Sequence, residues 1–229
     1  MKGDLSALSD APATAIDVSP DDALKGTEAS FMLMLEAKKH RQGMLLDIFY
    51  SDVLQESESN AATSTHWKAS SQDTLVTAGY TYEIYRSTQS VVDIVAGARY
   101  WGVDTKLALA TGDNPVEQVN DHNSQSWIDP LAGIKAKVRL SDSRFYLAYF
   151  VGAGGVSGGS DSFYDLTANV GYQFTDTMVA SVGYRILDVD YQNDSFVYDV
   201  KQEGWILGLV WLFGPNKLVR PDATGKLTD

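Results

Sequence analysis

Cysteine is absent from the 229-residue sequence, and basic residues are scarce. Without cysteine the chain can have no disulfide framework, no thiol nucleophile and no thiolate metal site. Lysine and arginine number 18 against 30 aspartates and glutamates, which gives a formal net charge of -12. We therefore expect no nucleic-acid partner, because no basic stripe is available to neutralise phosphates.

Long apolar segments are missing too. The longest uncharged run near the end of the sequence, GWILGLVWLFGP, is too short for a membrane-spanning helix, which needs about 20 apolar residues. The start, MKGDLSALSD, lacks the apolar core of about 7–15 residues that a secretory signal peptide carries. We expect a chain without a transmembrane helix and, if the protein is exported, a processed form of it.

Alternation of apolar and polar residues is abundant instead. In YDLTANVGYQF, residues 164–174, every even-numbered position is apolar and every odd-numbered position is polar or glycine. Successive side chains of a β-strand point to opposite faces, so the pattern predicts a strand with one apolar face. Similar patterns predict strands at about 28–38, 42–53, 73–86, 91–107, 126–140, 144–155, 162–174, 178–191 and 196–213. A single short helix is predicted at 20–25, within SPDDALKG, from its capping serine, its proline and its final glycine.

The links between these strands alternate in length. KHRQ, RSTQS, LSDSR and FTDT are short, whereas the links between them are longer and polar, the longest at about 54–72 and 107–125. A transmembrane β-barrel produces this alternation, with tight turns at one rim and long loops at the other. We therefore predict an all-β fold, a closed antiparallel up-and-down transmembrane barrel of residues 28–213, between an N-terminal segment, 1–27, and a tail, 214–229.

The strand number of such a barrel is constrained. Bacterial single-chain barrels have even strand numbers, so ten strands are expected, with eight as the alternative. A tenth strand would come either from KGDLSAL, residues 2–8, or from the tail after a turn at residues 214–216.

The two faces of the predicted strands differ in charge. One face is apolar, and charged residues of both signs on the other face are predicted to line the lumen. These are Glu36, Asp47, Glu83, Asp93, Arg99, Asp129, Lys135, Lys137, Arg139, Asp165 and Arg185. Because a barrel of 8–10 strands has a narrow interior, we expect the charges to pair and plug the lumen, with Asp93 and Asp165 as candidate partners of Lys137. A narrow polar pore gated by the same network is the alternative.

Aromatic residues of the apolar face lie toward both ends of the strands. Tyrosine and tryptophan favour the two interfaces of a bilayer, so these residues are predicted to lie at the membrane boundaries. They are Tyr50, Tyr82, Tyr100, Phe145, Tyr149, Tyr172, Phe174, Trp205, Trp211 and Phe213.

Several segments, LEAKKHRQGMLLDIFYSDV, VAGARYWGVDTKL, GYQF, VGYRILDVDY and GWILGLVWLF, resemble one family. They are similar to small outer-membrane β-barrel proteins of Gram-negative bacteria, a broad family with outer-membrane-protein-A-like and W-like members. The resemblance covers about residues 28–213 and implies a monomer in the bacterial outer membrane, surrounded by lipid or detergent and inserted by the barrel-assembly machinery. It also implies that Phe213 stands where the family has a terminal aromatic residue, although sixteen residues follow it here.

The expected role is non-enzymatic, either structural or as a narrow passive pore, without cofactor, metal or catalytic residue. Two alternatives stay open: a soluble lipocalin-like barrel that binds an apolar small molecule, and an outer-membrane hydrolase. A serine hydrolase needs a base beside a hydroxyl group and an acid, and of the three histidines His122 has such neighbours, Asp121 and Ser124. Asp, Asn and Ser are also the usual residues of loops, so we expect no catalytic site there. Asp113, Glu117 and Asp121 could gather a cation, but their spacing matches no EF-hand loop.

Overall fold

A computed structural model describes residues 2–6, 14–17, 27–59, 65–111, 119–141, 143–155, 159–193 and 196–213. Side chains are described within these ranges except at 2–6, 14–17, 27–29, 55–59, 65–69, 107–111 and 119–122. Eleven strands are present in the described ranges. They are β1 (Lys2–Ser6), β2 (Thr14–Asp17), β3 (Thr27–Lys39), β4 (Gln42–Ser59), β5 (Thr65–Arg86), β6 (Ser90–Thr111), β7 (Val119–Arg139), β8 (Phe145–Gly154), β9 (Ser162–Gln173), β10 (Met178–Asn193) and β11 (Phe196–Trp211). No helix in this part of the chain is long and apolar enough to cross a membrane.

The strands form one antiparallel sheet in the order β2-β1-β11-β10-β9-β8-β7-β6-β5-β4-β3. The all-β fold and the nine-strand meander, β3 to β11, are confirmed. The helix expected at 20–25 and the tail at 214–229 lie outside the described residues.

A closed ring of ten strands is not seen, because β2 and β3 are the two edges of the described sheet. β1 is antiparallel to β11, but its other edge pairs with β2 and not with β3. β3 and β11 are separated by an even number of antiparallel steps and therefore run the same way. One further antiparallel strand would have to lie between them. Residues 2–6, expected as part of such a strand, pair with Val197–Lys201 and leave the neighbouring edge of β11 from Gln202 onward without a described partner.

Contacts between strands that are not neighbours show that the sheet is curled. Lys135 on β7 bonds Glu36 on β3, and Arg99 on β6 bonds Asp165 on β9. Tyr198 on β11 likewise reaches across to Asp73 on β5, an O–O distance of 3.2 Å. The sheet is thus a half-barrel with a concave inner face and a convex outer face.

The four short turns lie where the sequence predicts them. In two of them a residue other than glycine takes the left-handed conformation, His40 with φ 56° and Ser141 with φ 51°. Such residues are common in tight hairpin turns, because the positive φ lets the chain reverse with the twist of the strands.

Two of the long links are much shorter than predicted. β4 and β5 stay paired as far as Ser59 and Thr65, and β6 and β7 as far as Leu109 and Val119. The polar composition of 54–72 and 107–125 was therefore the wrong criterion for a loop. The hydrogen bonds between paired strands use backbone groups alone, so a segment with polar side chains can extend a strand that is already paired with its neighbours.

The two faces of the sheet differ in the side chains that they expose and bury. The convex face exposes large apolar side chains, among them Trp205, Leu207 and Phe213, at 77%, 83% and 83%. The concave face buries most of its charges in the half nearer the short turns, where Leu45 and Val95 lie among them, and the rest of an apolar cluster toward the other end. The apolar cluster contains Leu45, Leu75, Val95, Trp101, Val103, Trp127, Leu131, Phe163, Leu187, Val189, Tyr191, Phe196, Tyr198 and Val200.

Glycine makes room for rings on the concave face. Gly171 on β9 lies opposite Tyr146 on β8, and a Cβ at Gly171 would overlap the Tyr146 ring. The Tyr146 side chain is buried as a result.

Candidate functional site

The concave face carries the predicted lumen charges, and four of them form a central charge cluster: Asp47, Arg99, Asp165 and Arg185. Asp165 accepts from both arginines, with 2.6 Å from Oδ2 to Nη2 of Arg99 and to Nη2 of Arg185. Arg185 makes a second bond to Asp165, Nε to Oδ1 at 3.0 Å, so this pair is bidentate. Asp47 completes the cluster at 3.6 Å from Arg185 Nη2. Two carboxylates thus balance two guanidinium groups in a buried site.

Nearer the short turns lies a second group, the lower charge cluster of Glu36, Lys38, Glu83, Arg86, Asp93 and Lys135. Lys38 donates to both oxygens of Asp93, at 2.7 and 2.9 Å, and lies 3.7 Å from Glu83. Arg86 also bonds Glu83. Sequence reasoning missed Lys38, although it lies in the predicted strand 28–38 and two positions from Glu36 on the same face. It also missed Arg86, which is the first residue of the predicted short link RSTQS.

Lys135 links two strands within the lower charge cluster. Its ammonium group bonds Glu36 and lies 3.7 Å from Asp93. The Glu36 side chain remains partly exposed, so this pair is less buried than the central charge cluster.

Lys137 and Arg139 follow on the same face of β7, but the partners expected for Lys137 are engaged elsewhere. Asp93 bonds Lys38, and Asp165 bonds the two buried arginines. Lys137 instead places its Nζ 4.1 Å from the centroid of the Tyr146 ring, a cation–π contact. The expected Lys137 pairs are therefore wrong: Asp93 lies opposite Lys135 in the β6–β7 ladder, and the curl of the sheet brings Lys38 of β3 onto its carboxylate.

Asp129 has a different role from the one expected. It accepts hydrogen bonds from the backbone N–H and the hydroxyl of Ser160, both at 2.7 Å. The Trp127 indole N–H donates to the same hydroxyl at 2.8 Å. Asp129 thus fastens the link between β8 and β9 over the inner face and joins no ion pair among the described residues.

Above the central charge cluster lies the aromatic tier, formed by Trp101, Trp127, Phe163, Tyr191, Phe196 and Tyr198. Trp127 stacks on Tyr191 with ring centroids 3.9 Å apart, and Trp101 stacks on Trp127 at 5.7 Å. The Arg99 guanidinium lies over Trp101 and Phe163, at 5.5 and 5.1 Å from their centroids. Cation–π contacts therefore connect the aromatic tier to the central charge cluster.

Asp73 lies on β5 at the edge of the aromatic tier. In the ladder with β4 it faces Ser51, one position beyond the outward-facing Tyr50. The carboxylate accepts from Tyr198 Oη at 3.2 Å and from Gln202 Nε2 at 2.7 Å. No cation neutralises it among the described residues, and burial raises the pKa of Asp73 from 3.8 to about 6.

The ten predicted interface aromatics lie on the convex face, exposed except for the half-buried Tyr50. Near the short turns Phe145 packs against Tyr172, with centroids 4.8 Å apart. Toward the other end Trp205 packs edge-on against Tyr184 at 5.4 Å.

The remaining sequence candidates do not form a site in the described part of the chain. His40 lies in a turn, and the side chains of His66 and His122 lie outside the described residues, as do Asp113 and Glu117. Among the described side chains, no three acidic or histidine residues are placed to hold a metal ion.

No protein-family model matches the chain, and a search of the curated proteins found no match.

Proposed function

We propose that the chain is an outer-membrane β-barrel protein with a structural role, and that its lumen is blocked. The observation that carries this proposal is the contrast in burial between the two faces. Arg99, Asp129 and Asp165 are 0–1% exposed, whereas Trp205 and Leu207 are 77% and 83% exposed. A continuous exposed apolar surface is unfavourable in water but is the surface that lipid chains solvate.

The filling of the inner face favours a structural role over a pore. Each residue of the central charge cluster lies within ion-pair distance of an opposite charge, and the stacked rings of the aromatic tier lie above the cluster. A permeating ion would have to break a buried ion pair and then cross an apolar layer, and both steps are costly.

The soluble carrier is supported less well. A lipocalin-like barrel holds its ligand in an apolar cavity, whereas here charges occupy half of the inner face and packed rings occupy the other half. The apolar convex face would also contact water along its length.

A matched pair of substitutions on β10 tests the membrane environment. Val182 and Gln192 are ten residues apart on the same face of one strand, and both are exposed. In lipid vesicles Val182→Arg should cost about 2–4 kcal/mol of unfolding free energy and Gln192→Arg only about 0–1, because the penalty depends on depth. Urea unfolding measures both. A soluble protein would tolerate both substitutions alike, since exposed positions rarely change stability by more than about 0.5 kcal/mol.

Closure of the sheet is the second part of the proposal. An unpaired strand edge within lipid costs several kcal/mol per backbone group, so a barrel in a membrane must be closed. We infer one antiparallel strand between β11 and β3. Residues 2–6 pair with β11 on one edge but with β2 on the other, so the tail at 214–229 is the better candidate. Hydrogen exchange in micelles tests this: the amides of Gln202–Trp211 that point away from β10 should be protected, and rapid exchange would show an open edge.

A further inference from the structure

The lower half of the concave face has more cations than carboxylates. Its three acids are Glu36, Glu83 and Asp93, and each is bonded to at least one of Lys38, Arg86 and Lys135. Those three cations neutralise the three acids. Among the residues that the structure describes, Lys137 and Arg139 are left over as two positive charges without an ion pair.

Lys137 and Arg139 are placed to act together. They are two residues apart on β7, so their side chains leave the same face, with Cα atoms about 7 Å apart. Arg139 lies opposite Tyr146 in the ladder with β8, and Lys137 contacts the ring of that tyrosine. Glu36 attracts Lys137 only at longer range, because its carboxylate is bonded to Lys135.

Both cations remain accessible from the short-turn end. Each is half-buried, whereas the Tyr146 ring behind them is buried. A partly desolvated cation without a counter-charge attracts anions, and low-dielectric walls strengthen that attraction. A guanidinium group offers a planar fork for an oxyanion, and an ammonium group adds a compact charge.

We propose that Lys137 and Arg139 form a binding site for a small, doubly charged oxyanion of the phosphate type, which enters from the short-turn rim. The charge of such an anion matches the two unpaired cations. The anion is free in solution and is not a lipid headgroup, because the site lies on the concave face, away from the apolar surface. The assignment rests on the proposed function in one respect: only in a closed barrel is the short-turn end of the sheet a rim through which the anion enters the lumen.

The test compares inorganic phosphate with chloride at matched ionic strength, using the full chain in a neutral detergent. Phosphate should raise the urea midpoint of the parent more than chloride does, and titration calorimetry should give a saturable heat. Lys137→Met and Arg139→Gln should each weaken phosphate binding at least tenfold. The control is Lys201→Met, at the opposite end, where Lys201 lies 3.8 Å from Glu203; it should bind phosphate like the parent.

Three outcomes would overturn the site. They are equal stabilisation by phosphate and chloride, full binding by both Lys137→Met and Arg139→Gln, and a response to phosphatidic acid in vesicles with none to free phosphate. Arg139→Lys decides the matter if a larger change prevents folding, since loss of the fork should weaken phosphate binding while the charge is kept. Phosphate binding by a protein that proves water-soluble would reject the proposed function but leave this site intact.

Discussion

Removing the shared carboxylate of the central charge cluster should destabilise the protein severely. Asp165→Asn leaves Arg99 and Arg185 buried with a single acid, Asp47, which lies 3.6 Å from Arg185. Breaking one buried ion pair by removing a partner costs about 3–5 kcal/mol. Because Asp165 bonds both arginines at 2.6 Å, we expect a loss toward the upper end of that range. Urea unfolding of the refolded protein in micelles, followed by tryptophan fluorescence, measures it.

A double substitution separates charge imbalance from lost packing. Arg99→Met removes one cation, so Arg99→Met together with Asp165→Asn restores neutrality and leaves Arg185 with Asp47. The double variant should therefore lose less stability than the two single losses added, by about 0.5–3 kcal/mol. Lys201→Met breaks only an exposed pair and should cost about 0–1 kcal/mol. Strict additivity, or a loss below about 1 kcal/mol for Asp165→Asn, would refute the central charge cluster as a buried, coupled unit.

Two further predictions concern single groups. Lys135→Met breaks a half-buried pair, so it should lower the unfolding free energy by more than the ~0–1 kcal/mol of an exposed pair and less than the ~3–5 kcal/mol of a buried pair. Lys137→Met breaks no ion pair with a described residue and should leave the unfolding free energy unchanged or raise it. If urea unfolding showed the larger loss for Lys137→Met, the observed pairing would be contradicted. The pKa of Asp73 is raised from 3.8 to about 6, so the folded state binds the proton more tightly than the unfolded state, and stability should fall as the pH rises from about 4 to about 6. Asp73→Asn should flatten this pH dependence and stabilise the protein at pH 7 by at most about 3 kcal/mol. An unchanged pH profile of the variant would show that Asp73 is not buried.

Strand positions and faces could be predicted because they depend on local alternation. The apolar residues of 164–174 lie on the convex face and the polar ones on the concave face, as their spacing requires. The aromatic tier could have been predicted by extending the same rule. Trp101 and Val103 continue the inward positions of Asp93 and Arg99 along β6, but their apolar character does not mark them as lumen residues.

Pairing across the concave face could not be predicted. Which cation reaches Asp93 depends on how tightly the sheet curls and on the stagger between β3, β6 and β7, and neither is encoded in the pattern of one strand. For the same reason the sequence could not reveal that Asp129 would bind Ser160 from the β8–β9 link.

The two halves of the concave face differ in their access to solvent, and this asymmetry limits what the molecule can do. Near the short turns the side chain of Lys135 is 21% exposed, whereas Trp101 and Val200 at the opposite end are each 1% exposed. In the closed barrel that we propose, water can therefore approach the lower charge cluster from the short-turn rim, whereas the stacked rings would block the other end. In planar bilayers the parent should carry no steady current, because ions that enter stop at the aromatic tier. Such a molecule is accessible from one side, so a bound anion would enter and leave by the same rim.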